Sequence, residues 1–193
     1  MTDRIDMILL DTNERMIDWS LGDVYTCAPS PIAVQTLIER HVLSSEAIAC
    51  LFWNPVLGHP QPETIEHILT LPGHVWHAGL ALGTGGLPGL IDFAAPTWML
   101  NRDPDPRIEA TSWRVSLHAC LILTEVLRQL GGLDDTFCSL DGAALEMGYR
   151  YVKSGAIVRH IPRLIPPTAN TVIPQNPLID EFRFIRCCFN SQQ

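Results

Sequence analysis

The chain has 193 residues, 47% hydrophobic and 18% charged, a balance that sustains one packed core and excludes a disordered polypeptide. Thirteen Lys and Arg against 21 Asp and Glu leave a net charge of −8. Phosphate backbones are bound by clustered cations, and no basic run is present, so nucleic acid is excluded as the main partner; a small anion held by a helix N-terminus or one Arg is not.

Ile5 to Leu10 is an apolar run halted by the turn formers Asp11, Thr12 and Asn13, which predicts a buried parallel strand with a polar carboxyl end. Val24 to Cys27 reads as a second strand. Ser30-Pro31 then places an N-cap and a first-turn proline, opening a helix with Ile32, Ala33, Leu37, Ile38 and His41 on one face. The continuous apolar run Ala47 to Trp53 predicts a central strand that stops at Asn54-Pro55. A helix from Pro62-Glu63 turns Ile65, Ile68 and Leu69 inward and ends at Pro72-Gly73. His74 to Leu82 has a mixed strand pattern. The stretch from Gly83 to Arg107 carries Gly83, Gly85, Gly86, Gly89 and four prolines, too long for a connector and read as a functional loop over one end of the sheet. Within it Gly83-Thr84-Gly85-Gly86 lacks the phosphate fingerprints and reads as a lid, and Asp103 and Asp105 read as solvated turn acids.

Trp113 to Ile122 predicts a strand, with Arg114 and His118 inserted, that feeds a helix over Thr124 to Leu130. A Pro-rich tail from about 162 is expected to wrap the surface and end in a short segment around Phe182 to Phe189. No window approaches some 18 uninterrupted apolar residues, so no transmembrane segment is expected. The start, Met-Thr-Asp-Arg-Ile-Asp, lacks the basic end and apolar core of a leader, which gives a cytoplasmic expectation. The six cysteines, with no Cys-x-x-Cys spacing, are read as reduced thiols. Strand and helix signals alternate through the first seventy residues. The fold class expected is therefore α/β: one domain over 1–193, with a mostly parallel central sheet flanked by helices. In such sheets ligands sit outside the carboxyl ends of the strands, which directs attention to Asp11, Asn54 and the loop before Asp141.

From Glu125 the chain reads Glu-Val-Leu-Arg-Gln-Leu-Gly131-Gly132-Leu-Asp134-Asp135-Thr-Phe137, then Ser139-Leu140-Asp141-Gly-Ala-Ala-Leu145 to Arg150, then Lys153-Ser154-Gly155. A helix ending on a glycine pair, an acidic turn, a second helix opening at an aspartate and closing on glycine, and a final strand follow in order. Over about forty residues this resembles the back half of inverting, family 2 glycosyltransferases with the GT-A fold. The resemblance implies a GT-A-like domain that transfers a sugar from a nucleotide-diphosphate donor to an acceptor, glycan or lipid-linked. The alternative it leaves is an inactive or weak relative that binds a nucleotide or nucleotide-sugar, or acts as an interaction module. Few residues precede the Asp11 strand, where the family usually has a further strand, so a trimmed nucleotide pocket is implied.

Inverting transfer needs a base for the acceptor hydroxyl, stabilisation of the leaving diphosphate and a nucleoside pocket. The resemblance implies Asp141 as the base: it falls where the family carries a Glu-Asp pair, with Leu140 in place of the Glu. Read from its own position Asp141 is equally an N-cap, its side chain on a backbone amide, and both readings stay open. Asp11 matches the strand-ending carboxylate that contacts the nucleotide, and is otherwise a turn former. The family's Mn²⁺ or Mg²⁺ is held by an Asp-x-Asp after the central strand; here Leu51 is followed by Phe52-Trp53-Asn54-Pro55, so only Asn54, with a neutral oxygen, and His160, near a metal-binding histidine of some relatives, stand in. His77 is a donor-site candidate, and both histidines are otherwise hydrogen-bonded core residues. Trp113 and Arg114 offer an indole for a sugar face and a guanidinium fork for a diphosphate, against an Arg paired with surface acids.

Overall fold

The computed structural model describes residues 4–12, 17–78, 107–167, 169, 172 and 177–189. The expected loop of Gly83 to Arg107, with Asp103 and Asp105, lies outside them except for Arg107. The described chain is α/β. Its strands are β1 (Ile5–Leu10), β2 (Val24–Cys27), β3 (Ala49–Trp53), β4 (Val75–His77), β5 (Ala110–Thr111), β6 (Ala119–Leu123) and β7 (Val158–His160). Its helices are α1 (Pro31–Leu37), α2 (Pro62–Leu69), α3 (Thr124–Leu130), α4 (Leu140–Lys153) and α5 (Leu178–Cys188).

The seven strands form one sheet in the order β2-β1-β3-β6-β4-β7-β5. Pairings β1–β2, β1–β3 and β4–β7 are parallel; β3–β6, β4–β6 and β5–β7 are antiparallel. The expectation of a mostly parallel sheet is thus corrected to a mixed one. The cause is β6, which enters between β3 and β4 against their direction and makes an antiparallel ladder on each side. The strands β1, β2, β3, β4 and β7 still share one direction, so the sheet has a defined carboxyl edge.

Both faces are packed. On one, Ile8, Leu10, Phe52, Cys120, Ile122, Val75 and Val158 meet α1, α3, α4 and α5 through Val34, Leu127, Ala144, Met147 and Phe184. On the other, Met7, Leu9, Leu51, Trp53, Trp76 and Leu121 meet Ile65 and Ile68 of α2. Every residue of β1 is buried, as its unbroken apolar run foretells. α1 is capped as expected, Ser30 accepting from the Ala33 N–H at 3.4 Å. Its buried face, however, is Pro31, Val34 and then Ile38 and Val42, while Ile32 is 63% exposed. The expected face is thus rotated at its start, with Ile38 buried as expected, and the last turn widens to a π-helix over Ile38–Val42.

The expected strand of Trp113 to Ile122 is shorter. Only Ala119–Leu123 pairs, and residues 112–118 run along the α4 face as a wholly buried irregular segment. There α4 approaches so closely that a Cβ on Gly148 would overlap the Trp113 carbonyl oxygen. Backbone cannot rotate away as a side chain can. Gly148→Ala is therefore expected to lower stability by about 2–3 kcal/mol, read as a shifted urea midpoint at unchanged slope; a midpoint equal to wild type would contradict the close approach.

The Pro-rich tail does not merely wrap the surface. It ends in α5, which packs on α4, stacking Phe184 on Trp113 at 5.8 Å and bringing Phe184 and Phe189 edge-on to Tyr149. All six cysteines are free thiols, Cys50 and Cys120 in the core. Among the described residues no helix is long and apolar enough to cross a membrane.

Candidate functional site

The carboxyl edge of the sheet gathers the polar residues. β1 runs out into Asp11, β3 into Asn54, β4 and β7 end on His77 and His160, and β6 starts directly after His118. Alternation along each strand puts Asn54 in phase with Phe52, His118 with Cys120, His77 with Val75 and His160 with Val158. All four therefore belong to the face that α4 covers, and α4 carries Asp141 in its first turn.

Three of these residues are joined. Asn54 is the N-cap of the 3-10 turn Pro55–Leu57, its Oδ1 accepting from the Val56 N–H at 3.0 Å. That bond fixes the amide so that Nδ2 faces Nδ1 of His118 at 3.1 Å. The Asn54 N–H also donates to the His118 carbonyl at 2.8 Å, which holds the two backbones in register one step beyond β3 and β6. On the other side of the ring, His118 Nε2 lies 3.2 Å from Asp141 Oδ1. The His118 and Asp141 side chains are 11% and 14% exposed, so the pair is nearly but not fully closed off.

The N-cap question has an answer in the same turn. Ser139, not Asp141, caps α4, its Oγ accepting from the Gly142 N–H at 3.0 Å. Asp141 is left to face His118. The loop that delivers it is held by Asp180 of α5, which is fully buried. One Asp180 oxygen accepts from the Cys138 N–H at 2.8 Å, the other from the Ser139 N–H and hydroxyl at 2.8 and 2.7 Å. Behind the loop Arg150 spans from Glu146, at 2.8 Å, to the carbonyls of Leu130 and Gly132, tying α4 to the glycine pair that ends α3. Gly131 there has φ +78, a conformation costly for any residue with a Cβ.

The remaining candidates are distributed differently. Asp11, 8% exposed, shares the edge one strand from Asn54, since Leu9 is in register with Trp53. Trp113 is 5% exposed and sandwiched in the aromatic cluster under α5, about two turns of α4 away from Asp141, so it presents no indole face to a ligand there. Arg114 is buried in the same segment, its guanidinium 5.6 Å from the Trp113 ring, and not on the acid-rich surface. Asn54 has both ends of its amide engaged within the chain, Oδ1 by the Val56 N–H and Nδ2 by His118 Nδ1. His160 donates from Nδ1 to the Ile108 carbonyl at 3.0 Å. Among the described residues no three His, Cys, Asp or Glu side chains gather as a metal-holding group, and no step below is routed through a metal.

His77 lies between Cys120 and His160 in register, fully buried, with its ring 5.6 Å from that of His160. Among the described residues neither ring nitrogen has a hydrogen-bond partner. Desolvation, then the charge of His160, pushes its pKa down from 6.5 to about 3. A depressed histidine pKa makes the native state the weaker proton binder. Stability is unaffected above about pH 6.5 and falls as the pH drops from there towards 3, by about 1.4 kcal/mol per unit. His77→Leu is expected to match wild type at pH 7 within about 1 kcal/mol. On going to pH 5 it should lose about 2 kcal/mol less than wild type. Parallel urea curves at the two pH values decide it, and equal acid losses would refute the burial of a neutral ring.

No family model matches the chain, and no curated protein matches it. His118 is not among the residues that the sequence singles out for the site. It reads there only as a polar insertion in an apolar run, although its place immediately before Ala119, where the unbroken apolar stretch begins, signals a strand end.

Proposed function

We propose that the chain is a glycosyltransferase-like protein that moves a sugar from a nucleotide-diphosphate donor to an acceptor hydroxyl, with Asp141 as the base. The observation that carries the reading is the chain of contacts Asn54–His118–Asp141 at the carboxyl edge of the sheet. Open α/β sheets bind ligands in that place. A carboxylate that is partly exposed, with Ser139 and not itself capping its helix, and oriented by His118 can take up an acceptor proton as the hydroxyl attacks the sugar's anomeric carbon. The electron pair of the breaking glycosidic bond leaves with the nucleoside diphosphate. His118 is not a rival base in this arrangement, because its Nδ1 is met by the Asn54 amide and its Nε2 by Asp141.

The described residues supply the base more fully than they supply the pocket for the diphosphate. That favours, as a second reading, a relative that binds nucleotide or nucleotide-sugar with weak or no transfer. Calorimetric titration with UDP and GDP, with and without Mn²⁺, followed by turnover against a panel of nucleotide sugars, separates the two. Binding with transfer supports the enzyme, and binding without transfer supports the binding module. Absence of binding at millimolar nucleotide overturns both.

A further inference from the structure

The geometry points to His118 as a positioning residue for Asp141, with Asn54 locking its tautomer instead of touching a donor or metal; the inference rests on the reading of Asp141 as base. Neutral imidazole has one N–H and one lone pair, and its neighbours choose which nitrogen carries which. Asn54 Oδ1 is committed to the Val56 N–H, so the group it turns to His118 is the NH₂, a donor. A donor at 3.1 Å from Nδ1 requires the lone pair there, which places the proton on Nε2. Nε2–H then donates to Asp141 Oδ1 at 3.2 Å and fixes the carboxylate's rotation about its own bond. The device is a relay of orientation with no proton transferred along it. Val56 N–H sets the amide, the amide sets the ring, and the ring sets the carboxylate.

Each link is rigid for a separate reason. Asn54 is bound by its backbone to His118 and by its side chain to Val56, at the end of the central strand β3, whose residues are all buried. The His118 N–H contacts the Ser116 hydroxyl, at 3.4 Å, and the residue leads directly into β6, paired on both sides. Asp141 sits on a helix whose N-cap is held by the buried Asp180. No flexible side chain stands between the sheet and the carboxylate.

The test uses the full chain with ring-¹⁵N histidine. Long-range ¹H–¹⁵N correlation at neutral pH is expected to show His118 as the Nε2–H tautomer. Asn54→Asp puts an acceptor where the donor stood, so His118 must carry a proton on Nδ1 and its pattern changes. Asn54→Leu, which offers neither, is expected to give a tautomer mixture. With a donor that turns over, Asn54→Asp should lower kcat about tenfold or more at a KM for nucleotide sugar within about twofold of wild type. His118→Gln, whose amide N–H can still reach Asp141, should retain more activity than His118→Leu. A wild-type Nδ1–H tautomer, or a pattern unmoved in Asn54→Asp, overturns the lock. Loss of nucleotide affinity in the Asn54 variants with the tautomer unmoved also overturns it and returns Asn54 to the donor site. The base reading fails separately: an Nε2–H tautomer with no sugar transfer from any donor sinks Asp141 as a base and leaves the lock standing.

Discussion

Asp141→Asn is expected to lower sugar transfer by about 10²–10⁴-fold, with nucleotide affinity within about twofold of wild type. The substitution conserves shape. An asparagine Oδ1 still accepts from His118 Nε2–H, Ser139 still caps α4, and the buried residues of the first turn are untouched, so the fold should survive. What disappears is the ability to accept a proton, since an amide oxygen is far too weak a base. Loss therefore falls on kcat with KM preserved, the pattern of a group needed only when the hydroxyl is attacking. The exposed neighbour Asp135 provides the control. Asp135→Asn removes an equal charge from the acidic turn that precedes α4 and should leave turnover within about twofold. Two variants with equal losses would show that the local negative charge matters and that the individual carboxylate does not. An Asp141→Asn protein with wild-type turnover would remove the base from the proposal altogether.

Local chemistry was largely legible in the sequence; long-range placement was not. β1 and α3 fall where their apolar runs and turn residues put them, and the first turn of α1 is marked by Ser30 and Pro31, because those signals act within a few residues. The direction of β6 carries no local signature. Its residues Ala119–Leu123 are a continuous apolar stretch, compatible with parallel or antiparallel pairing, and only the path of residues 112–118 across the α4 face decides which. Position alone points to Asp141 and Asn54, whereas His118, which joins them, reads in the sequence only as a polar insertion in a strand, since a histidine beside an apolar run is compatible with a core position. Trp113 shows the same limit, since an indole invites a ligand in a sequence and its packing against Tyr149 and Phe184 is set by helices far along the chain.

That terminal helix supplies the second large effect. Asp180→Ala is expected to cost about 3–4 kcal/mol of stability and to reduce sugar transfer as well. The carboxylate is fully buried and accepts three hydrogen bonds from Cys138 and Ser139. Arg183, one turn on, approaches it at 3.7 Å while lying over the Phe137 ring. Truncation strands two backbone N–H groups and a hydroxyl in a partly closed space, and leaves a guanidinium beside them without its anion. Water can reach some of these groups, which keeps the loss below the sum of separate penalties. Ser139 would then be held by its bonds to the Gly142 and Ala143 N–H groups without the brace from α5, and the start of α4 would loosen where Asp141 must face His118. Asp180→Asn keeps one acceptor oxygen but turns an NH₂ towards an N–H, so it should fall between wild type and Ala in both measurements. Urea unfolding gives the stability and the His118–Asp141 contact can be followed by the Nε2–H resonance. If Asp180→Ala unfolds at the wild-type midpoint, α5 does not brace the site. If it is destabilised but that resonance stays sharp and unshifted, the brace supports the fold alone, and the aim of Asp141 is set entirely from the sheet side through Asn54 and His118.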